Sequence, residues 1–551
     1  MGAWAQVTET HSGVVVLLGD RAYKMKKPVR FGFLDFTDRE ARRAACQEEV
    51  ALNRRLAPDV YEGVADVIGP DGRPCEHLIV MRRMPAERRL ALLARSGAPV
   101  GEHLRRIARQ VASLHARARR GPEIDREGGG RALRARWTAS LAEVRELHSG
   151  PGETGEPAEP AEPAEPAEPA EPAEPGQHGD PREHGELGEH GRSGWSGEPG
   201  GPGSPVGAAA LGVIERLALR FVDGREPLFR ARVEQGRIVD GHGDLLAEDI
   251  FCLDDGPRIL DCLEFDERLR FVDGLDDAAF LAMDLERLGA PGEAVAFLDR
   301  YAEFSGDPSP PCLVHHYVAY RAFVRAKVAC LRHGQGGTGA AREAGELAEL
   351  ALRHLRAGAV TLVLVGGPPG TGKSALAGAV ADRLGYTLLS SDRVRKEMAG
   401  LAPQTRATAP FEEGIYRPEW TERTYGELLS RAERLLGLGE PVVLDASWTG
   451  AAHRSDAERV ARRTFTDLVA LRCAAPARVV AERLARRTAG VSDAGQAVSE
   501  AMAARTPPWP GAVEIDTGGA VEDALDQALG ALRPPCAPAA PRFPRPRLEP
   551  G

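Results

Sequence analysis

The stretch GGPPGTGKSALAGAVADRLG, from Gly366 to Gly385, decides the fold of the C-terminal part of the chain. It follows the apolar run VTLVLV, contains the spacing G-x-x-x-x-G-K-[ST], and continues into a segment with helical periodicity. Glycines allow successive backbone N–H groups to turn toward phosphate oxygens, and the N-terminus of the following helix adds a favourable dipole. The stretch therefore predicts a strand, a phosphate-binding loop and a helix, in that order.

The residues of this loop predict a nucleotide site. We expect Lys373 to reach the β- and γ-phosphates and the Ser374 hydroxyl to ligate Mg²⁺. The predicted cofactors are ATP and Mg²⁺, although the loop by itself fits GTP as well. The residues expected to bind the nucleotide are Gly367, Pro368, Pro369, Gly370, Thr371, Gly372, Lys373 and Ser374.

Charged residues follow the next predicted strand. In SSDRVRKEMAG, Asp392 lies just past the second strand, which the run TLLSSD predicts, and Arg395 and Lys396 lie at the start of the next helix. A carboxylate beside bound phosphates can accept a proton from a substrate hydroxyl, and neighbouring cations can hold an anionic group. We therefore predict Asp392 as the general base and Arg395 and Lys396 as substrate-binding residues.

Two further segments complete the predicted site. VVLDASW places Asp445 at the end of a third strand, where a Mg²⁺-associated position is expected. The helix in ERLARRTAG carries Arg483, Arg486 and Arg487, which we predict to form a lid that neutralises charge on the transferring phosphoryl group, with Arg486 and Arg487 as the catalytic residues. Each of these arginines fits a solvated helix face as well. The alternation of strands and helices from VTLVLVGG to AVEIDT is typical of a doubly wound parallel sheet.

Residues of about 358–530 resemble the P-loop kinases of the gluconate kinase, polynucleotide kinase and zeta-toxin group. The more specific feature is the spacing D-x-x-R after the second strand, which Asp392 and Arg395 provide. In those kinases the aspartate at the position of Asp392 is the general base. The resemblance implies an ATP-dependent kinase that phosphorylates a hydroxyl of a small molecule.

A second set of motifs begins near the N-terminus. The runs VVVLL and RAYKMK flank Gly19-Asp20 and predict a hairpin, and DREARRAACQEEVALNRRLA has the apolar spacing of a helix. A protein-kinase-like fold requires a lysine on an early strand and a glutamate on the next helix. Lys24 and Glu49 supply this predicted nucleotide-binding pair, with Lys26 and Glu48 as alternatives.

The stretch GHGDLLAEDIF, Gly241 to Phe251, has the pattern of a phosphotransferase catalytic loop. Asp244 is the predicted base, and Asp249 and Asp261 are the predicted Mg²⁺ ligands. The order and spacing resemble the aminoglycoside phosphotransferase family, whose loop usually reads H-G-D-x-H-x-x-N. Leu246 replaces the second histidine and Asp249 replaces the asparagine, so the loop is altered while its base and metal-ligating oxygens are kept.

Composition predicts several blocks within the 551 residues. The resemblance assigns 1–149 and 206–333 to one kinase-like domain, into which a low-complexity Glu-Pro-Ala linker, 150–205, is inserted. Residues 341–533 form the P-loop kinase domain, and 534–551 form a Pro-rich tail predicted to be disordered. The predicted fold class is α/β and α+β: an N-terminal two-lobed kinase-like fold and a C-terminal P-loop NTPase with a doubly wound parallel sheet.

Bulk properties narrow the classes of partner and location. Hydrophobic residues make up 42% of the chain, and no apolar run reaches the ~18–20 residues that a membrane span needs. The eight scattered cysteines favour reduced thiols, and with no signal-peptide pattern they predict a cytoplasmic location. The net charge of -10 argues against general nucleic-acid binding. The predicted partner is a small-molecule hydroxyl substrate, and a 5′-hydroxyl oligonucleotide stays open as an acceptor.

Three functional hypotheses follow. The first is an ATP-dependent phosphotransferase in which a P-loop kinase is fused to a second phosphotransferase-like domain. The second is a pseudokinase sensor domain that regulates the P-loop kinase, which the altered loop around Leu246 keeps open. The third is an ATP-driven switch without an acceptor, against which the position of Asp392 argues.

Overall fold

The computed structural model describes residues 5–9, 13–31, 34–149, 205–402, 414–486 and 507–532. The predicted linker therefore lies outside the described residues except for Pro205, and so does the predicted Pro-rich tail.

The secondary structure of the described residues alternates between strands and helices along most of the chain. The strands are β1 Ala5–Glu9, β2 Gly13–Leu18, β3 Arg21–Lys26, β4 Arg30–Phe31, β5 Leu34–Asp35, β6 Tyr61–Ile68, β7 Pro74–Arg82, β8 Ile238–Asp240, β9 Ile250–Leu253, β10 Gly256–Ile259, β11 Phe271–Asp273, β12 Thr361–Gly366, β13 Thr387–Ser390, β14 Val442–Asp445, β15 Asp467–Ala474 and β16 Val513–Asp516. The helices are α1 Arg39–Asn53, α2 Leu90–Arg95, α3 Gly101–Arg117, α4 Pro122–Gly128, α5 Gly130–Ser149, α6 Ala208–Gly224, α7 Glu226–Glu234, α8 Gly274–Arg287, α9 Pro291–Ser305, α10 Pro311–Gly334, α11 Ala340–Ala357, α12 Lys373–Leu384, α13 Ser391–Met398, α14 Pro418–Gly437, α15 Ala451–Arg463, α16 Ala477–Ala485 and α17 Val521–Leu532.

An antiparallel sheet in the order β1-β2-β3-β7-β6 forms the N-terminal lobe. The predicted hairpin is present: β2 and β3 pair across Gly19 and Asp20, and Gly19 has the positive φ of 57° that this tight turn requires. Helix α1 begins after Asp38, whose carboxylate accepts a hydrogen bond from the Ala41 amide at 2.9 Å. Its buried side packs on the sheet and fixes α1 against β3 and β7.

A helical lobe follows, and the catalytic-loop motif lies within it between β8 and β9. Helices α3, α5, α6 and α8 to α11 supply most of its core, and β9 and β10 form an antiparallel hairpin after the loop. The short strand β8 pairs with β11, which leads directly into α8. This arrangement of sheet lobe, helical lobe and intervening loop confirms the predicted two-lobed kinase-like fold.

The C-terminal sheet is parallel throughout, in the order β13-β14-β12-β15-β16. Alternate residues of β12 enter different cores: Val363 and Val365 pack with α12 and α17, whereas Leu362 and Leu364 belong to the larger core with α14 and α15. Because both faces of the sheet are covered by helices, the predicted doubly wound α/β fold is confirmed.

The larger core continues from this sheet into the helical lobe. Buried Arg225, at the end of α6, donates a hydrogen bond of 2.7 Å to Thr464 O after α15. Arg220 and Asp467 form an ion pair at 2.5 Å across the same junction. Helix α11 packs against α10 and α6, so it lies on the N-terminal side of this junction. The two kinase-like parts are therefore joined by a buried interface.

Among the helices within the described ranges, none is both long enough and apolar enough to cross a membrane.

Candidate active sites

The loop between β12 and α12 has the conformation that its glycines allow. Gly370 and Gly372 have φ values of 85° and 88°, in the left-handed region. A Cβ at Gly370 would also lie 2.9 Å from a methyl carbon of Val480, so the space above the loop is closely packed. Lys373 is the first residue of α12, and no hydrogen bond or ion pair joins its side chain to another described residue. Its ammonium group is thus available for a phosphate.

Ser374 and Asp445 meet at the mouth of this loop. The Ser374 hydroxyl donates a hydrogen bond of 2.7 Å to Asp445 Oδ2, at the carboxyl end of β14. Asp445 is buried, and among the described residues its Oδ1 has no hydrogen-bond partner. A buried, unpartnered carboxylate oxygen beside a hydroxyl is a donor set that Mg²⁺ favours, so these residues fit the predicted ion.

Asp392 lies on the same edge of the sheet. The register pairs Ser390 at the end of β13 with Asp445, which places the first turn of α13 beside Asp445. The Tyr416 hydroxyl donates to Asp392 Oδ1 at 3.2 Å, and Lys396 Nζ lies 3.4 Å from Oδ2. Burial raises the pKa of Asp392, and the Lys396 ammonium opposes this shift. This environment is suited to a carboxylate that accepts a proton.

The two predicted substrate-binding cations are more enclosed than a surface site requires. Lys396 is fully buried beside Asp392. Arg395 donates to Ile415 O at 3.1 Å and to Thr421 Oγ1 at 3.3 Å, and it stacks on the Tyr416 ring. Arg395 therefore attaches the segment that carries Tyr416 to α13. A contact of either cation with substrate stays a prediction.

Arg483 occupies the position over the phosphate-binding loop. Its Nη2 donates to Thr517 O at 2.7 Å, and its Nη1 is buried with no hydrogen-bond partner in the described part of the chain. A Cβ at Gly372 would lie 3.2 Å from this Nη1. Arg486 is exposed at the end of α16, and Arg487 lies outside the described residues. The sequence predicts that this helix supplies cations to the site, but Arg486 and Arg487 were the predicted catalytic residues and Arg483 was not.

In the N-terminal part, Lys24 and Glu49 are brought together as predicted. Lys24 Nζ lies 2.9 Å from Glu49 Oε1 and 2.6 Å from Asp261 Oδ1. Burial lowers the pKa of Lys24, but the carboxylates of Asp261 and Glu49 outweigh this effect and hold it well above its usual value. Lys26 contacts the other oxygen of Glu49 at 2.5 Å, and the alternative Glu48 is exposed. One buried glutamate thus connects β3 with α1.

Three aspartates converge beside this pair. Asp261 has a left-handed φ of 63°, and the Lys24 ammonium lowers its pKa. Burial raises the pKa of Asp249 well above its usual value, and the nearby charges of Asp261 and Asp244 add to the shift. An unusual backbone conformation and crowded carboxylates are typical of functional sites. A bound cation would reduce the repulsion between these carboxylates, so Asp249 and Asp261 fit the predicted Mg²⁺ position.

Asp244 is the predicted base of this site. Burial raises its pKa to about 6, and the positive charge of Arg325 opposes the shift. Its loop is held from α8, because Asp277 accepts hydrogen bonds from the His242 amide at 2.7 Å and the Gly243 amide at 2.8 Å. Asp277 therefore fixes the backbone that carries the base.

Leu246 is the first departure from the usual sequence of this loop, and its surroundings are apolar. Leu246, at the place of the usual histidine, packs into the main core of the helical lobe. The next amide, that of Ala247, donates to Asp284 of α8 at 2.9 Å. Leu246 therefore supports the loop by packing in the core of the helical lobe.

Helix α10 supplies residues that sequence reasoning missed. Arg321 forms a bidentate pair with Asp276, with distances of 2.7 and 3.0 Å, and donates to Gly243 O at 3.3 Å. Arg321 lies 78 residues from Gly243, so no local pattern connects them. The clue in the sequence is the placement of Arg321 and Arg325 one helical turn apart on a helix otherwise rich in apolar residues.

Among the described residues, no group of three or more His, Cys, Asp or Glu side chains is arranged to hold a metal ion. Each of the two predicted Mg²⁺ positions has two protein side chains, Ser374 with Asp445 and Asp249 with Asp261. Nucleotide phosphate oxygens and water would have to complete either position, as is usual for Mg²⁺ in kinases.

Comparison with known families and sequences identifies two kinds of relative. The family described as AAA domain matches residues 362–508, from β12 to the segment after α16. The uncharacterized proteins Rv2004c of Mycobacterium tuberculosis and Mb2027c of Mycobacterium bovis are each 40% identical over 522 residues. That alignment covers 95% of this chain and 94% of each relative, so the whole arrangement of parts is shared.

Solved structures with similarity to the chain are more distant. A choline kinase from Cryptosporidium parvum is 10% identical, covering 65% of this chain and 90% of its own, with a TM-score of 0.35. A sugar kinase from Janibacter sp. is 18% identical, covering 32% of this chain and 94% of its own, with a TM-score of 0.25. Nothing about an acceptor follows from these similarities.

Proposed function

The chain belongs to the same family as Rv2004c, and from this premise and the geometry of its two sites we propose that it is an ATP-dependent phosphotransferase with two active sites. Each site would transfer the γ-phosphoryl group of ATP to a hydroxyl of a small molecule. The observation that carries the proposal is the position of Asp392. This carboxylate lies at the same edge of the sheet as Asp445 and the phosphate-binding loop, and burial raises its pKa.

At the C-terminal site, backbone amides of the loop, Lys373 and Arg483 would bind the phosphates. Asp392 Oδ would take the proton of the acceptor hydroxyl as its oxygen forms a bond to the γ-phosphorus. The bond between this phosphorus and the β,γ-bridging oxygen breaks, and ADP leaves with the electron pair. Mg²⁺, held by Ser374 and Asp445, would neutralise charge on the phosphate oxygens.

At the N-terminal site, Lys24 would bind phosphate oxygens while Glu49 keeps its ammonium group in place. Asp249 and Asp261 would hold Mg²⁺, and Asp244 would accept the proton of the acceptor hydroxyl. The loop is rigid because Asp277 binds two of its amides, which keeps the base in a fixed position.

One observation favours a second candidate for this site. Leu246 contributes only packing where the related loop has a polar side chain, so the N-terminal part could bind a nucleotide and act as a sensor for the C-terminal kinase. A sensor would need Lys24 and Asp261 but would not need Asp244.

The test measures acceptor-dependent release of ADP by the full chain against sugars, sugar acids, amino alcohols and 5′-hydroxyl oligonucleotides. Asp392→Asn and Asp244→Asn should each lower turnover of a different acceptor by ~10²-fold or more while nucleotide affinity is kept. An acceptor-independent rate that neither substitution changes would contradict the proposal. If only Asp392→Asn has an effect, the sensor function applies to the N-terminal part.

A further inference from the structure

Beside Asp244 lies the Arg325 side chain, which forms no ion pair with a carboxylate of the described residues. We propose that the acceptor of the N-terminal site carries an anionic group, a carboxylate or a phosphate ester, and that Arg325 binds this group. The inference rests on the proposed function of this site and adds the chemical class of its acceptor.

Arg325 is placed by the helix that supports the catalytic loop. Arg321 of α10 donates to Gly243 O at 3.3 Å, directly before Asp244 in the chain. Arg325 lies four residues later, and residues at this spacing share one face of a helix. Arg325 is half-buried, and its side chain makes no hydrogen bond or ion pair with any residue that the structure describes. Its guanidinium group is thus charged, close to the base and available.

Arg136 of α5 lies near the Tyr320 ring of α10. Its guanidinium carbon lies 5.9 Å from the centre of the Tyr320 ring, and that of Arg321 lies 5.7 Å from the same ring. Arg136 Nη2 donates to Glu127 O at 3.0 Å, but its Nε is buried and has no hydrogen-bond partner within the described ranges. Arg321 and Arg325 therefore line one wall of the site, and Arg136 adds positive charge beside the Tyr320 ring.

Apart from the three aspartates of the predicted base and Mg²⁺ positions, the nearby carboxylates are already engaged. Asp276 binds Arg321 through both oxygens, and Asp284 accepts from Ala247 N and from Arg287 Nε. A buried guanidinium group without an anion is unfavourable, whereas a carboxylate or phosphate can accept two parallel hydrogen bonds from it. An acceptor with an ammonium group would meet like charges at this wall. With Mg²⁺ at its predicted position beside the aspartates, the Arg325 guanidinium group therefore favours an anionic acceptor over a cationic one.

The anionic group would orient the acceptor without taking part in the bond changes. The acceptor hydroxyl oxygen forms the new bond to the γ-phosphorus, its proton goes to Asp244, and ADP leaves as the β,γ-bridging bond breaks. The carboxylate or phosphate ester leaves unchanged as part of the product.

The experiment uses the full chain with Lys373→Ala, which removes the contribution of the C-terminal site. Hydroxy acids, sugar phosphates, neutral polyols and amino alcohols of equal carbon number are compared for transfer, and for binding in the presence of a non-hydrolysable ATP analogue and Mg²⁺. With arginine at position 325, the protein should bind the anionic acceptors more tightly, and transfer to them faster, than the neutral and cationic ones. Arg325→Gln should lower kcat/KM and affinity for them by about 10- to 100-fold, the range expected for a charge-assisted hydrogen bond.

Arg332→Gln is the matched control, because Arg332 lies on the same helix but pairs with Glu343 at 2.9 Å. It should change neither quantity. A preference for polyols or amino alcohols, an unchanged selectivity in Arg325→Gln, or no binding of any anionic acceptor would overturn the proposal. Transfer to an amino alcohol that depends on Asp244 would keep the phosphotransferase function and reject only the acceptor class. Binding of anions that depends on Arg325, without any transfer, would keep the anion-binding role of Arg325 and reject the phosphotransferase function of this site.

Discussion

Asp244 lies at the predicted position of the base, but burial makes its negative charge unfavourable. Burial raises its pKa in the folded protein to about 6, whereas an aspartate in an unfolded chain has a pKa of about 3.9. The folded state therefore holds this proton more tightly than the unfolded state. The stability that follows is fully present below about pH 4 and is lost as the pH rises through 6.

Asp244→Asn should therefore separate stability from activity. At pH 8 the substitution should increase the free energy of unfolding by on the order of 1–3 kcal/mol, because a buried charge is removed, and at pH 4 it should have little effect. Transfer at the N-terminal site should be lost at both values. Urea denaturation at the two pH values measures the first effect, and equal stability changes at pH 4 and pH 8 would contradict it.

At the scale of elements, α8 controls the catalytic loop. Asp277 accepts two loop amides, and His115 Nε2 of α3 lies 2.9 Å from its Oδ2. Burial raises the pKa of Asp277, but the hydrogen bonds and electrostatic attraction of His115 and His242 together outweigh this effect and hold the pKa below its usual range. A charged acceptor thus fixes the loop from behind.

Asp277→Asn should weaken this support, since one amide hydrogen would face the loop N–H groups. We expect kcat at the N-terminal site to fall by about 10-fold or more, the scale of misplacing a catalytic group, with no change at the C-terminal site. Asp299→Asn on the exposed side of α9 is the control. Equal kinetics for both variants at the N-terminal site would show that α8 does not position the base.

Elements defined by local chemistry could be predicted from the sequence. The Gly19-Asp20 hairpin, the helix that begins after Asp38 and the strand and loop before Lys373 all depend on residues close together in the chain. The choice of Glu49 over Glu48 also agrees with the structure, because the neighbouring position faces solvent.

Features that depend on packing between distant elements could not be predicted. Arg321 reaches the catalytic loop only because α10 packs beside α8. In the C-terminal part, the rotation of α16 about its axis decides that Arg483 lies over the loop while Arg486 is exposed. Periodicity shows that these residues share a helix, but it does not show which face meets the nucleotide.

At the scale of the whole molecule, the junction between α6 and the C-terminal part is closely packed. A Cβ at Gly224 would lie 2.4 Å from Thr464 O, and the adjacent Arg225 binds the same carbonyl group. Gly212 lies on the same helix, and a Cβ there would meet nothing within 4 Å. The two glycines are therefore a matched pair for testing the junction.

Gly224→Ala should separate the two parts enough to split thermal unfolding into two transitions, because backbone at the junction must move. Gly212→Ala should instead stabilise the protein by about 0.5–1 kcal/mol, the usual gain for alanine over glycine within a helix. Differential scanning calorimetry measures both effects. A single unchanged transition in Gly224→Ala would show that the junction does not couple the parts.

The central claim is that one chain holds two separate nucleotide sites. Its most direct test is the number of molecules of a non-hydrolysable ATP analogue bound per chain in the presence of Mg²⁺, measured by isothermal titration calorimetry. The substitutions are Lys373→Ala in one site and Asp261→Asn in the other, since asparagine tolerates the left-handed φ of 63° at residue 261. We expect two molecules per chain in the wild type, one in each variant and none in the double variant. One molecule per chain in the wild type, or loss of all binding in either single variant, would contradict the account.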